Sequence, residues 1–147
     1  MSARSENTIW VDAGMEQVWN VTNDVARWPD LFSEYASVEV LARTANTVRF
    51  RLTMHPDENG TEWSWVSERT ADPATRTVRS RRVETGPFEY MRIFWEYRTE
   101  NGGVRMIWKQ EFRMRPDAPV TDEQMLERIN TNTPIQMKLI KDKLEAR

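Results

Sequence analysis

The stretch Trp63-Ser64-Trp65-Val66-Ser67-Glu68-Arg69-Thr70 decides how the chain is read. A β-strand turns successive side chains to opposite faces, so Trp63, Trp65, Ser67 and Arg69 share one face. A surface strand has no use for two indoles beside a guanidinium, and a plain core does not want the guanidinium, because a buried unpaired charge costs several kcal/mol. A cavity with apolar walls and one cationic point satisfies both. The competing reading has Arg69 at the strand end, snorkelling to solvent above ordinary core.

Outward from this stretch the pattern keeps a period of two from Ser37 onward, with strands expected near 37–43, 47–55, 61–70, 77–85, 88–100 and 103–114. Pro56 to Gly60, Asp72-Pro73-Ala74, Gly86-Pro87 and Asn101-Gly102 carry turn chemistry, the last being the dipeptide of a tight hairpin. The strands therefore form an antiparallel meander. With Asn101-Gly102 as a two-residue loop, Trp95 faces Trp108, Ile93 faces Gln110 and Met91 faces Phe112. Extending the parity across the 71–76 turn puts Arg69 opposite Val78, Ser67 opposite Ser80 and Trp65 opposite Arg82. The inner face then holds one acid, Glu84, beside Trp63 and far from Arg69, which is left without a counter-ion in the sheet. Arg49, Arg51, Lys109 and Glu111 fall on the opposite, solvated face. His55 has outer parity and reads as a surface histidine.

Before the meander, residues 6–11 read as a strand. Asp12 is a candidate N-cap for a helix with Met15, Val18, Trp19 and Thr22 on one face, ended by Asn23-Asp24. A second short helix starts at Trp28-Pro29, with Trp28, Phe32 and Tyr35 on one side. After the meander, Thr121-Asp122-Glu123-Gln124 is a capping-box pattern opening a long helix to Arg147, which Pro134 should kink or divide. Its stripe is Met125, Ile129, Asn132, Gln136, Ile140 and Leu144. The expected fold is α+β: a seven-stranded antiparallel sheet wrapped around a long C-terminal helix, with two short helices after strand 1, in one domain spanning 1–147.

Composition narrows the chemistry. Lys plus Arg number 21 against 23 Asp plus Glu, a net charge of −2, so no broad basic field marks a nucleic-acid or anionic-membrane partner. The absence of cysteine and the single histidine argue against thiolate nucleophiles and metal centres. No apolar run approaches the roughly 20 residues of a membrane span, and the chain is read as cytoplasmic. Seven tryptophans and eight methionines suit an aromatic or greasy ligand. Trp28, Phe32, Tyr35, Trp63, Trp65, Ser67, Arg69, Arg82, Met91, Trp95, Trp108, Gln110, Ile129 and Gln136 are expected to line the cavity between sheet and helix.

These residues carry a resemblance. Thr22-Asn23-Asp24-Val25, Trp28-Pro29, Leu31-Phe32-Ser33-Glu34-Tyr35-Ala36, Phe50-Arg51-Leu52-Thr53-Met54-His55-Pro56, the Trp63 to Arg69 strand, Val83-Glu84-Thr85-Gly86-Pro87-Phe88 and Trp95-Glu96-Tyr97 resemble the bacterial single-domain aromatase/cyclases of aromatic polyketide biosynthesis, in the tetracenomycin and spore-pigment branch. That group belongs to the helix-grip (START/Bet v 1-like) superfamily, shared with plant hydrophobic-ligand carriers and lipid-transfer domains. The resemblance implies that Arg69 and Tyr35 are the catalytic groups and that no redox cofactor is needed. The implied substrate is a poly-β-ketone borne by an acyl carrier protein of a type II polyketide synthase. It would undergo regiospecific aldol closure and dehydration to its first aromatic ring or rings, with C9–C14 closing first. Gln136 stands where one relative has asparagine. An acidic carrier would be met by local Arg or Lys at the pocket mouth. The competing expectation is a non-catalytic carrier or sensor of a hydrophobic ligand on the same fold.

Overall fold

A computed structural model describes residues 2–146; Met1 and the expected helix end at Arg147 lie outside the described residues. The strands are β1 (Ala3–Val11), β2 (Tyr35–Arg43), β3 (Thr47–Met54), β4 (Ser64–Asp72), β5 (Thr77–Arg82), β6 (Phe88–Glu100) and β7 (Gly103–Met114). The helices are α1 (Met15–Asn23), α2 (Trp28–Leu31) and α3 (Asp122–Glu145), with a 3-10 turn at Val25–Arg27. The seven strands form one sheet in the order β1-β7-β6-β5-β4-β3-β2, every pair antiparallel. β1 and β2 are thus opposite edges. The segment joining them, α1 to α2, crosses from one edge to the other and walls one end of the concave face.

Hairpin chemistry sets the register. Asn101 and Gly102 both take positive φ, 49° and 78°, as a two-residue turn matched to strand twist requires. Trp95 faces Trp108, Ile93 faces Gln110 and Met91 faces Phe112, as expected. At Gly103 a Cβ would collide with the Val11 carbonyl and the Trp10 ring, so only glycine lets β1 close on β7 there. The β4–β5 pairing differs from expectation by two residues: Ser67 faces Arg82, Arg69 faces Ser80 and Ala71 faces Val78. The cause is a tighter loop, closed at Asp72 and Thr77 with Arg76 at φ 55°. A shift of two keeps every side chain on its face.

Other boundaries moved for identifiable reasons. β1 starts at Ala3 because it pairs with β7 through Phe112. The N-cap of α1 is Gly14, not Asp12; the Asp12 amide donates instead to Glu145 Oε2 at 2.8 Å. α2 ends at Leu31, with Phe32 extended and Tyr35 already in β2. Trp28, Phe32 and Tyr35 are therefore not on one helix, although their rings meet at 5.1 to 6.0 Å. β5 stops at Arg82, so the strand parity does not reach Glu84. That carboxylate is exposed and paired with Arg51 at 2.9 Å, not set on the inner face beside Trp63.

α3 opens with the expected capping box, Thr121 Oγ1 accepting from the Gln124 amide while the Gln124 side chain accepts from the Thr121 amide. Pro134 does not divide it. Proline removes one intrahelical hydrogen bond, and here both Pro134 and Asn130, whose carbonyl loses its donor, are exposed. The buried face is Thr133, Gln136, Met137, Ile140 and Leu144; Met125 and Ile129 are half-buried and Asn132 is exposed at the pocket side. Three polar ties seat the helix: Lys141 Nζ donates to the Trp10 carbonyl at 2.7 Å, and Lys143 Nζ donates to the Asp30 and Leu31 carbonyls at 2.6 and 3.1 Å.

Candidate active site

Two apolar clusters pack the concave side. One, around Val11, Val18, Trp28, Phe50, Trp95 and Ile140, joins α1, α2, the sheet and the end of α3. The other, Phe88, Met91, Phe112 and Met114, sits under the start of α3. A cavity of about 910 Å³ opens on this concave side, a size suited to a multi-ring ligand. All fourteen of Trp28, Phe32, Tyr35, Trp63, Trp65, Ser67, Arg69, Arg82, Met91, Trp95, Trp108, Gln110, Ile129 and Gln136 line it.

At its inner end aromatic rings hold a cation. Trp95 and Trp108 stack at 4.1 Å and 3°, a consequence of their direct cross-strand pairing. Arg69 places its guanidinium carbon 4.2 Å from the Trp95 ring and 5.1 Å from the Trp28 ring. The side chain is 3 % exposed. Its protein acceptor is a neutral amide, Asn23 Oδ1, at 2.9 Å, and the Tyr97 hydroxyl also faces it. Tyr97 is itself fixed by Thr22 Oγ1 at 2.6 Å. No carboxylate among the described residues pairs with Arg69. Burial pushes the guanidinium down to about 10, so it stays protonated at neutral pH. Its Nε and the Trp108 Nε1 are buried donors without a protein acceptor, and both belong to residues of the cavity wall.

Tyr35 lines the same cavity, its ring stacked on Trp28 at 6.0 Å and edge-on to Trp65 at 6.4 Å. Burial, reinforced by the Glu34 carboxylate, raises its hydroxyl well above the ordinary phenol range, and Arg82 and Arg69 partly oppose that rise. Arg82 is the second cation, lying 4.1 Å over Trp65 and 4.7 Å over Phe88. Its protein hydrogen bond, to the Thr85 carbonyl, is long at 3.4 Å. Burial pushes it down to about 10 as well.

Not every expected wall residue has a free polar group. Gln136 spends both ends of its amide on Ser33, accepting from the backbone N–H and donating to Oγ, each at 2.9 Å. It therefore fastens the α2–β2 loop to α3. Gln110 donates to Thr133 Oγ1 at 3.3 Å. Trp63 lies ahead of β4, is 46 % exposed and donates to Asp57 Oδ2 at 2.9 Å; it belongs to the rim, not the inner wall. Arg128 of α3 lines the cavity too, and with Arg82 it supplies local positive charge.

Sequence reasoning missed three participants. Asn23 reads as a helix terminator and turns out to anchor Arg69. Tyr97 shares the face of Trp95 by strand parity, but nothing in the sequence marks it as facing Arg69. Glu34 carries no signal in the strand pattern, since it precedes β2. Among the described residues no group of three or more His, Cys, Asp or Glu could hold a metal ion.

The chain is similar to known proteins in sequence and in fold. The family model described as polyketide cyclase / dehydrase and lipid transport matches residues 11–133. A Streptomyces cyaneus protein provisionally named a polyketide cyclase is 63 % identical over 145 residues, covering 99 % of this chain and 95 % of that one. The granaticin polyketide synthase bifunctional cyclase/dehydratase of Streptomyces violaceoruber is 30 % identical over 132 residues, which is 88 % of this chain and 40 % of that longer one. Among solved structures, the Zhui aromatase/cyclase of Streptomyces sp. R1128 superimposes with a TM-score of 0.88 at 24 % identity, covering 99 % of this chain and 94 % of that one. At that identity the likeness bears on the fold.

Proposed function

Since the chain belongs to the polyketide cyclase / dehydrase and lipid transport family, we propose that it is an aromatase/cyclase acting on a poly-β-ketone bound to an acyl carrier protein. It directs regiospecific intramolecular aldol closure and dehydration to the first aromatic ring or rings, with C9–C14 closing first, alongside the other components of a type II polyketide synthase in the cytoplasm. The observation that carries this reading is Arg69: a buried guanidinium held by indoles and a neutral amide, with its Nε unsatisfied. A structural arginine in such a place would be expected to find a carboxylate.

The roles follow from the chemistry of the groups. A poly-β-ketone has many nearly equivalent nucleophilic carbons and carbonyls, so the first task is to hold one conformer, a proximity effect worth up to about 7 to 11 kcal/mol in ideal cases. Trp28, Trp65, Trp95 and Trp108 offer flat walls for that conformer. Aldol closure develops negative charge on a ketone oxygen; the Arg69 guanidinium, a planar fork of donors held in place by its neighbours, stabilises it. A guanidinium protonated at neutral pH does not accept a proton, so Tyr35 carries the proton transfers of enolisation and water loss. Arg82 and Ser67 hold further carbonyls. Neither aldol closure nor dehydration changes oxidation state overall, and no redox cofactor is called for. Arg82 and Arg128 provide the local positive charge that an acidic carrier protein would meet.

The second reading, a carrier of a hydrophobic ligand, is kept open by the lipid-transport members of the same family. Incubation with a carrier-tethered nascent poly-β-ketone separates the two. A cyclase shifts the products from spontaneous shunt compounds to one ring pattern, whereas a carrier leaves their distribution unchanged.

A further inference from the structure

We propose that Glu34 is a further catalytic residue of this pocket, the base that finally holds the proton taken from the substrate's methylene and that receives it through the Tyr35 hydroxyl. The proposal rests on the cyclase reading above. Glu34 is half-buried and lines the cavity together with Tyr35. Its position is fixed from both sides. The preceding Ser33 is pinned to Gln136 by two hydrogen bonds of 2.9 Å, and the Glu34 carbonyl accepts the His55 N–H at 3.1 Å. Its chain neighbour Tyr35 lines the same cavity, and the carboxylate bears electrostatically on the Tyr35 hydroxyl. Glu68, Glu84 and Glu111 each hold an arginine at 2.8 or 2.9 Å, whereas among the described residues no ion pair reaches Glu34. A carboxylate lining an aromatic cavity, next to a phenol in the chain and free of cations at ion-pair distance among the described residues, is arranged to take a proton. Burial also raises its proton affinity above the ordinary glutamate value of 4.5, in the direction a general base needs.

The step balances without a co-reactant. As the bond from hydrogen to the methylene carbon between two ketones breaks, its electron pair becomes the enolate. The proton goes to the Tyr35 oxygen, and the phenolic proton passes to Glu34, leaving a neutral phenol and a neutral carboxylic acid. The enolate carbon then attacks the target ketone. The new alkoxide, held by Arg69, takes a proton from Tyr35, which is refilled from Glu34. Dehydration repeats the route: the remaining hydrogen on the same carbon leaves through Tyr35 to Glu34, and that proton returns to the departing hydroxyl, giving the carbon–carbon double bond and water. No proton is gained or lost overall.

Several charged groups bear on this titration. Tyr35, Arg82 and Arg69 act within the cavity; Asp57 and Glu58 from the β3–β4 loop and Arg128 from α3 line it; His55 adjoins through the backbone. The carboxylate is the active form, so activity falls as pH drops through its raised value. His55, whose backbone N–H bonds the Glu34 carbonyl, is the necessary control.

The experiment uses the full chain and a poly-β-ketone made in situ on its carrier protein, and reads the ratio of guided to spontaneous products from about pH 5 to pH 9. Wild type should show an acid limb. Glu34→Gln, nearly isosteric, should lower the ratio by about a hundredfold and abolish the limb. Tyr35→Phe should cost a similar factor, with the double variant little worse than either single one, because the two act as a unit. His55→Gln should keep the limb, and Glu34→Asp should keep it at a shifted pH. Far-UV circular dichroism and melting establish that each variant folds; if Glu34→Gln does not, the Glu34→Asp shift carries the test. Glu34→Gln with wild-type ratio and wild-type limb overturns this proposal while leaving the cyclase reading in place. A wild-type protein that leaves the spontaneous distribution unchanged overturns the cyclase reading, and this proposal with it.

Discussion

On the convex face of the sheet Arg49 and Arg81 share the Glu68 carboxylate, at 2.8 and 3.4 Å, and Arg4 and Arg92 share Glu111, at 2.9 and 3.4 Å. On the concave face Arg69 and Arg82 pair with no carboxylate among the described residues and lie on indole rings at 4.2 and 4.1 Å. The same residue type in one sheet thus meets two environments, and β5 shows both, since its neighbours Arg81 and Arg82 go to opposite sides. In water a cation is stabilised wherever it is, so the convex pairs add little. In the cavity burial works against the charge and pushes both guanidiniums down to about 10. A charge kept at a cost in stability, without the partner that would offset the cost, is positioned for something outside the chain.

The largest test of that contrast is Arg69→Ala, which should reduce guided cyclisation by about a hundredfold, the usual loss for one oxyanion donor, and let shunt products take over. Arg69→Lys keeps the charge without the planar fork and should recover only part of the rate. Arg69→Met removes the buried charge while keeping most of the volume, so its melting temperature should equal or exceed that of wild type. An Arg69→Ala variant that gives the wild-type product at the wild-type rate would make Arg69 structural and erase the contrast.

Next in size, Arg82→Ala should weaken ring-pattern control about tenfold, the worth of one charge-assisted hydrogen bond, with the fold kept. Product ratios from the same assay read it. Smaller still, Arg81→Ala on the convex face should leave product ratios unchanged and the melting temperature within about 2 °C of wild type. A convex variant that altered the products would dissolve the distinction between the faces.

The smallest effect concerns acid. Hydrogen bonds from Arg49, Arg51 and Arg4 hold Glu68, Glu84 and Glu111 below the ordinary glutamate value of 4.5. Their folded values lie under their unfolded ones, so their contribution is present above pH 4.5 and is lost as pH falls through the lowered values. Because these groups are exposed, salt should shrink it. Melting curves below pH 4.5 at low and high ionic strength check both, and a melting temperature that rises on acidification contradicts the assignment.

Much of this was legible from one dimension. Alternation in β4, β6 and β7, the Asn101-Gly102 turn and the Thr121 capping box are local rules, and local rules placed β6 and β7 at their observed bounds and gave the register of that hairpin. Where turn geometry was misjudged, at 73–76, the pairing slipped by two and still kept Arg69, Ser67 and Arg82 on the concave face, because face membership depends on parity alone. Parity failed at Glu84, where the strand had already ended.

What the sequence by itself determined is therefore which side chains share a face: Trp65, Ser67 and Arg69 on β4, and the paired indoles of β6 and β7. Tertiary structure decided what each meets across the fold. Asn23 reaches Arg69 at a separation of 46 residues, and Gln136 turns from the cavity to Ser33 across 103. Glu34 faces the pocket from outside any strand. The physical reason is that covalent geometry and turn chemistry act over a few residues and set direction, while the partner of a buried polar group is fixed by whichever donor or acceptor the closed fold brings within about 3 Å.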